Sequence, residues 1–155
     1  MIKILASILR AIKKNTDSFK IVFPVHPRTR RIIHQFKINF SNIIMNDPLG
    51  YLEFTYLIKI AKGIIADSGG ITEEATVFNI LCLTIRNSTE RPEAVTVGTN
   101  ELIGNDLNKL SEYLSKIIDN KWKKGEVPKL WDGHTSERII DYLVSIYSNN
   151  YNELK

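Results

Sequence analysis

Read as apolar and polar positions, the 155-residue chain switches repeatedly between a helical and an extended period. Ile2, Leu5, Ile8, Leu9 and Ile12 recur at helical spacing and predict an amphipathic helix over 2–14, packed on a sheet. "KIVFPV" is a short strand over 20–25, and "HPRTRR" leaves it. Pro27 argues against a helix through His26, because a residue before proline avoids the α region. A helix over 28–36 follows. "NIIM" is the next strand, over 42–45, and "NDPLG" is turn chemistry. A helix over 51–62 carries Leu52, Tyr56 and Ile60 along one stripe. "GIIADS" then reads as strand, "ITEEATVF" as helix and "LCLTI" as strand. "RNSTERPEAV" is a polar loop that opens a short helix at Pro92, a residue suited to the first helical turn. "ELIG" is a last short strand, and Asp106 caps a helix over 106–119. "KWKKGEVPKLWDG" is an irregular connector, and a closing helix covers 134–147. The Asn-rich tail, 149–155, is expected to fray.

Strands and helices thus alternate, and the strands are apolar throughout. This predicts an open, doubly wound α/β domain over 1–148, with a parallel sheet covered on both faces. Apolar residues make up 43% and charged residues 25% of the chain, a globular balance rather than a disordered one. The net charge of +4 is scattered and has no aromatic–basic stripe beside it, so no nucleic-acid partner is expected. One cysteine, Cys82, rules out an internal disulfide and sits in the apolar run "ILCLTI". A buried, inert thiol in a reducing cytoplasm is the expectation. No apolar run approaches the roughly 18 residues that span a bilayer. In "MIKILASILRAIKKN", Arg10, Lys13 and Lys14 interrupt the apolar core and no small-residue cleavage site follows, so it is not read as a signal peptide. Surface membrane binding by this helix is the lesser alternative.

Ligands of open α/β sheets bind at the carboxyl ends of the strands, and polar clusters fall at such ends here. Ser68-Gly69-Gly70 has two readings. Glycines allow close backbone approach, and the following helix aims free amides and a positive dipole end at the turn, which together would cradle a phosphate or diphosphate. Alternatively the segment is a tight turn with Ser68 as its N-cap. Glu73 reads as a carboxylate favourable to the helix dipole. Glu74, about one turn (~5.4 Å) past Gly70, would accept from ribose hydroxyls. Arg91, in the loop 86–94, offers a bidentate donor for phosphate, against the alternative of a surface salt-bridge loop. His26 and Arg28 add positive charge and a titratable imidazole after another strand, although a lone histidine is more often structural. His34 and His134 show no metal-ligand spacing, and neither Gly-x-Gly-x-x-Gly nor a P-loop lysine motif occurs. No metal, NAD or ATP is expected.

Five segments, in order, carry a resemblance: "FPVHPRTR", "DPLGYLEF", "ADSGGITEEA", "IRNSTERPEAVTVGTNELIG" and "LWDGHTSERI". Together they resemble the non-hydrolysing UDP-N-acetylglucosamine 2-epimerases, over about 19–143. The resemblance implies the second, Rossmann-like domain of a glycosyltransferase-B type architecture, with the N-terminal catalytic domain absent. It implies that Ser68, Gly69 and Gly70 hold the diphosphate of UDP, Glu74 the ribose and Arg91 the same site. The uracil would meet backbone near Leu49 and the ring of Phe54, with His26 near the phosphates and Arg28 beside it.

The implied reaction interconverts UDP-GlcNAc and UDP-ManNAc, for surface polysaccharide precursors, by eliminating UDP and adding it back. The carboxylates that move the C2 proton belong to the missing domain, so no catalytic residue is assigned in this chain and no cofactor is needed. Expected partners are the UDP-sugar, the missing domain and, as one candidate assembly, a second copy of the chain. Where the family has glycine this chain has Asn79, a residue that tolerates a left-handed cap; it has Leu81 for proline and Thr72 for glutamine. The alternatives are a glycosyltransferase of the same architecture, which the "TERPEA" loop disfavours, and a non-catalytic UDP-binding fragment.

Overall fold

The computed structural model describes residues 2–15, 19–35 and 43–153. Helix α1 (Ile2–Asn15) leads into strand β1 (Ile21–Pro24), helix α2 (Pro27–Gln35) and strand β2 (Ile43–Asn46). Then follow α3 (Tyr51–Ile60), β3 (Ile64–Ala66), α4 (Gly69–Val77) and β4 (Cys82–Thr84). The short α5 (Pro92–Thr96), β5 (Asn100–Leu102), α6 (Leu107–Ile118) and α7 (Thr135–Glu153) complete the order. Phe36 and Asn42, expected at element ends, lie outside the described residues, as do the last two positions of the tail.

Every described strand pairing is parallel; β1 to β4 are largely apolar, but β5 reads Asn-Glu-Leu, so the strands are not apolar throughout. The strands form two ladders, β1–β2 and β3–β4–β5. Ile21 pairs with Ile43 in the first, while Ile64 pairs with Cys82, and Cys82 with Asn100, in the second. One apolar cluster joins Ile8 and Ile12 of α1 to Leu83 of β4 and to Leu110, Leu114 and Ile117 of α6. A second joins Leu9 of α1 to Val25, Ile33 and Ile43, and Ile21 packs against both. Ile8, Leu9 and Ile12 of the α1 stripe are therefore core, and the side chains of Ile2 and Leu5 lie outside the description. Among the described residues no helix is long and apolar enough to cross a membrane.

The ends of the helices follow local chemistry. Asp106 caps α6, its carboxylate accepting from the amides of Asn108 (2.9 Å) and Lys109 (3.2 Å). Asn79 closes α4 with φ +56°, the left-handed cap expected of it. Before α7, the Asp132 carboxylate accepts from the Arg138 guanidinium and the His134 amide, which hold it below its ordinary titration range.

Two elements differ from their sequence reading. In α3 the stripe of Leu52, Tyr56 and Ile60 is 80%, 63% and 61% exposed, whereas Ile58 is 3% exposed. The helix is apolar nearly all round, so spacing alone cannot choose the inward face. Helix α7 continues past Tyr147 to Glu153, and it leaves Ile139, Ile140, Tyr142 and Tyr147 exposed.

Gly98 lets α5 sit tightly against α4. A Cβ there would lie 2.6 Å from the Ala94 carbonyl oxygen and 2.6 Å from Thr76 Cγ2. Gly98→Ala should therefore cost about 1–3 kcal/mol by overpacking, read as a lower denaturation midpoint. Burial pushes the Cys82 thiol from its ordinary 9.0 up to about 12, against a smaller downward pull from its Thr84 hydrogen bond. The native thiol should resist alkylation at pH 8 and react freely once denaturant unfolds the chain. Below pH 9 both states keep the thiol protonated; above it the unfolded state ionises first. Stability should then fall as the pH rises from 9.0 towards about 12, measurable in denaturation curves.

Candidate functional site

The carboxyl end of β3 runs through exposed Asp67 into Ser68, whose extended backbone (φ −96°, ψ 130°) opens α4. The first helical amides, of Gly69, Gly70 and Ile71, have no carbonyl four residues back within the helix. The amide of Thr72 is the first to find one, on Ser68 (3.3 Å). The side chain of Ser68 makes no capping hydrogen bond, in contrast with Asp106. Ser68 is thus the N-cap by position, but its hydroxyl is not committed to the helix.

The two glycines are not there for conformation or for packing. Neither has a positive φ, and a Cβ added to either would meet nothing within 4 Å. What they leave is an open surface on the first turn. That turn lines a cleft of about 100 Å³ with Thr72, Glu73, Thr84, Arg86, Thr89, Glu90 and Arg91. A larger hollow of about 460 Å³ continues from it, sharing Arg86, Thr89 and Glu90 and reaching Gly104 and Asn105 beyond β5. The floor is rigid. Buried Thr72 donates to the Gly69 carbonyl (2.6 Å), and Thr84 donates to Asn100 Oδ1 (2.7 Å) beneath it.

Arg91 stands at the N-terminus of α5, its amide held by Thr89 Oγ1 (3.1 Å) and Pro92 as the first helical residue. Its guanidinium donates through Nε to Glu73 Oε1 (2.8 Å), and the pair is about half exposed. A connector straps this corner down. Lys123 Nζ donates to the carbonyls of Val95 and Asn100 (2.5 Å each) and pairs with Glu101 (3.0 Å); Trp122 Nε1 donates to the Thr99 carbonyl (2.8 Å).

The structure therefore brings Gly69, Gly70 and Arg91 together, while Ser68, the residue before Gly69, lines neither hollow. Glu74 is half-buried one position past the lining, on the stripe that continues from Gly70 along α4. Leu49 and Phe54 are half-buried at the start of α3, after β2, where the Gly50 amide donates to Glu53 (3.0 Å) and its carbonyl accepts from Phe54 (2.9 Å). His26 and Arg28 are exposed after β1, and His26 Nδ1 accepts from the Arg28 amide (3.3 Å). These four line neither hollow. Sequence reasoning missed Arg86, Thr84 and Thr89 as lining residues and Glu73 as the partner of Arg91. The only signal for that pair was a carboxylate and a guanidinium following the ends of two strands that turn out to be adjacent. Among the described residues no group of three His, Cys, Asp or Glu side chains could hold a metal ion.

The family model for UDP-N-acetylglucosamine 2-epimerase matches residues 1–144. A UDP-N-acetylglucosamine 2-epimerase homolog of Methanococcus maripaludis is 36% identical over 158 aligned positions, covering 90% of this chain and 44% of its own length. The UDP-N-acetylglucosamine 2-epimerase of Methanocaldococcus jannaschii is 38% identical over 79% of this chain and 34% of that protein. The crystal structure of the latter organism's enzyme with UDP-GlcNAc and UDP superposes with a TM-score of 0.75 at 34% identity, covering 92% of this chain and 41% of that one. The chain thus spans less than half the length of the relatives it matches.

Because the Ser68 hydroxyl caps nothing, Ser68→Ala should change stability by less than about 0.5 kcal/mol, whereas Asp106→Ala should cost about 1 kcal/mol. Paired urea denaturation curves read the contrast.

Proposed function

The chain belongs to the UDP-N-acetylglucosamine 2-epimerase family, and from that premise we propose that it is the UDP-binding half of an isomerase that interconverts UDP-GlcNAc and UDP-ManNAc. The uncommitted amides at the start of α4, with Ser68, Gly69 and Gly70, receive the diphosphate. Arg91 adds charge-assisted donors from the far wall. Glu74 accepts from the ribose, backbone near Leu49 and the Phe54 ring take the uracil, and His26 with Arg28 flanks the phosphates. UDP leaves and returns during the reaction, so these donors stabilise charge that develops on the departing oxygen. The base and acid that act at C2 belong to the part of the family's architecture outside the matched residues. The reaction belongs to the cytoplasm and serves surface polysaccharide precursors.

The observation that carries this reading is the empty space beside two helical glycines. Glycine in a helix is less stable than alanine. Here neither a neighbouring side chain nor a positive φ demands it. A ligand that needs bare backbone supplies the missing reason. An anion at a helix N-terminus also meets both the free amides and the positive end of the dipole.

Gly70→Ala should hold or raise the melting temperature, since the backbone there suits alanine. It should weaken UDP binding measured by calorimetry, by steric exclusion at the first turn. Arg91→Ala should weaken UDP roughly tenfold or more, the loss expected of a charge-assisted hydrogen bond. Failure of the parent chain to bind UDP, or parent-like affinity in both variants, would overturn the assignment.

A further inference from the structure

We infer that Glu73 is a positioning residue for UDP binding: it orients Arg91 so that the end of the guanidinium faces the diphosphate. The inference rests on the diphosphate reading given above and adds a residue to it. On charge alone, a carboxylate lining an anion cleft opposes the ligand. Glu73 lines that cleft with Gly69 and Gly70. Its geometry reverses the expectation. Oε1 lies 2.8 Å from Arg91 Nε, so the carboxylate takes the side of the guanidinium nearest the stem. Among the described hydrogen bonds Arg91 uses Nε alone, which leaves Nη1 and Nη2, with four of the five N–H donors, for a second anion.

Both ends of this pair are anchored. Glu73 follows Thr72, which is buried and back-bonded to Gly69, in a helix pinned to the sheet by buried Ala75 and Thr76. Arg91 is fixed through its amide to Thr89, and α5 is held by Lys123 on the Val95 carbonyl. A long side chain with a fixed root and a fixed side contact loses less freedom when its far end binds. Arg91 is therefore preorganised, and the local repulsion from Glu73 is outweighed by that gain.

The sign of the effect tests this. The full chain is titrated with UDP at constant ionic strength, as parent, Glu73→Ala, Glu73→Gln, Arg91→Ala and the Glu73→Ala/Arg91→Ala double variant. Glu73→Ala should weaken UDP roughly three- to tenfold, the range expected for coupled neighbours. Glu73→Gln should recover most of that loss, because an amide oxygen still accepts from Nε. In the Arg91→Ala background, Glu73→Ala should leave affinity unchanged or raise it, since only repulsion is then removed. Melting temperatures of the two Glu73 variants should match the parent, as the pair is half exposed.

Tighter or unchanged UDP binding in Glu73→Ala, with Arg91→Ala weakened as proposed, overturns the role of Glu73 and leaves the diphosphate site standing. Arg91→Ala binding like the parent overturns the arginine's part in that site, and the role of Glu73 with it.

Discussion

A helix begins with amides that its own geometry cannot satisfy, and among the described residues no hydrogen bond takes up the first three of α4. This constraint organises the whole corner. The parallel ladder forces the chain to cross back between strands, so α4 starts at the carboxyl end of β3. The same rule brings the 86–91 loop in from the end of β4 and Gly104 from the end of β5. Glycines at 69 and 70 keep the first turn bare, and Arg91 reaches across from α5. An anion is what such a corner lacks, and a diphosphate is an anion that also carries handles for the neighbouring loops.

Much of this was legible in the sequence because it is local chemistry. The stripe of α1, the cap at Asp106, the proline that starts α5 and the left-handed Asn79 each depend on a few adjacent residues. The turn at Ser68 was legible as a turn, but no local pattern shows that its hydroxyl makes no bond back to the helix. What stayed hidden depends on the third dimension. Glu73 and Arg91 are eighteen residues apart and meet only because α4 and α5 lie side by side. The inward face of α3 was hidden for another reason: Leu52, Tyr56 and Ile60 have the right spacing, but so do apolar residues on the opposite side. The division of the strands into two ladders also left no mark, since each strand is only three or four residues long.

The cleft holds two arginines and two glutamates, so the formal charges cancel, and the remaining positive character comes from the start of α4. A neutral cleft with a positive helix end suits an anion.

Helix α1 has a share in both apolar clusters, with Ile8 and Ile12 in one and Leu9 in the other. It therefore works as a dowel between the two ladders, which no described strand pairing joins. Loosening that dowel would free the β1–β2 piece while the β3–β4–β5 piece kept its own contacts with α6. Deuterium uptake would then divide along the same line, fast on one side and slow on the other. The start of α4 and the segment after β2 would then open at different thresholds, because they belong to different ladders.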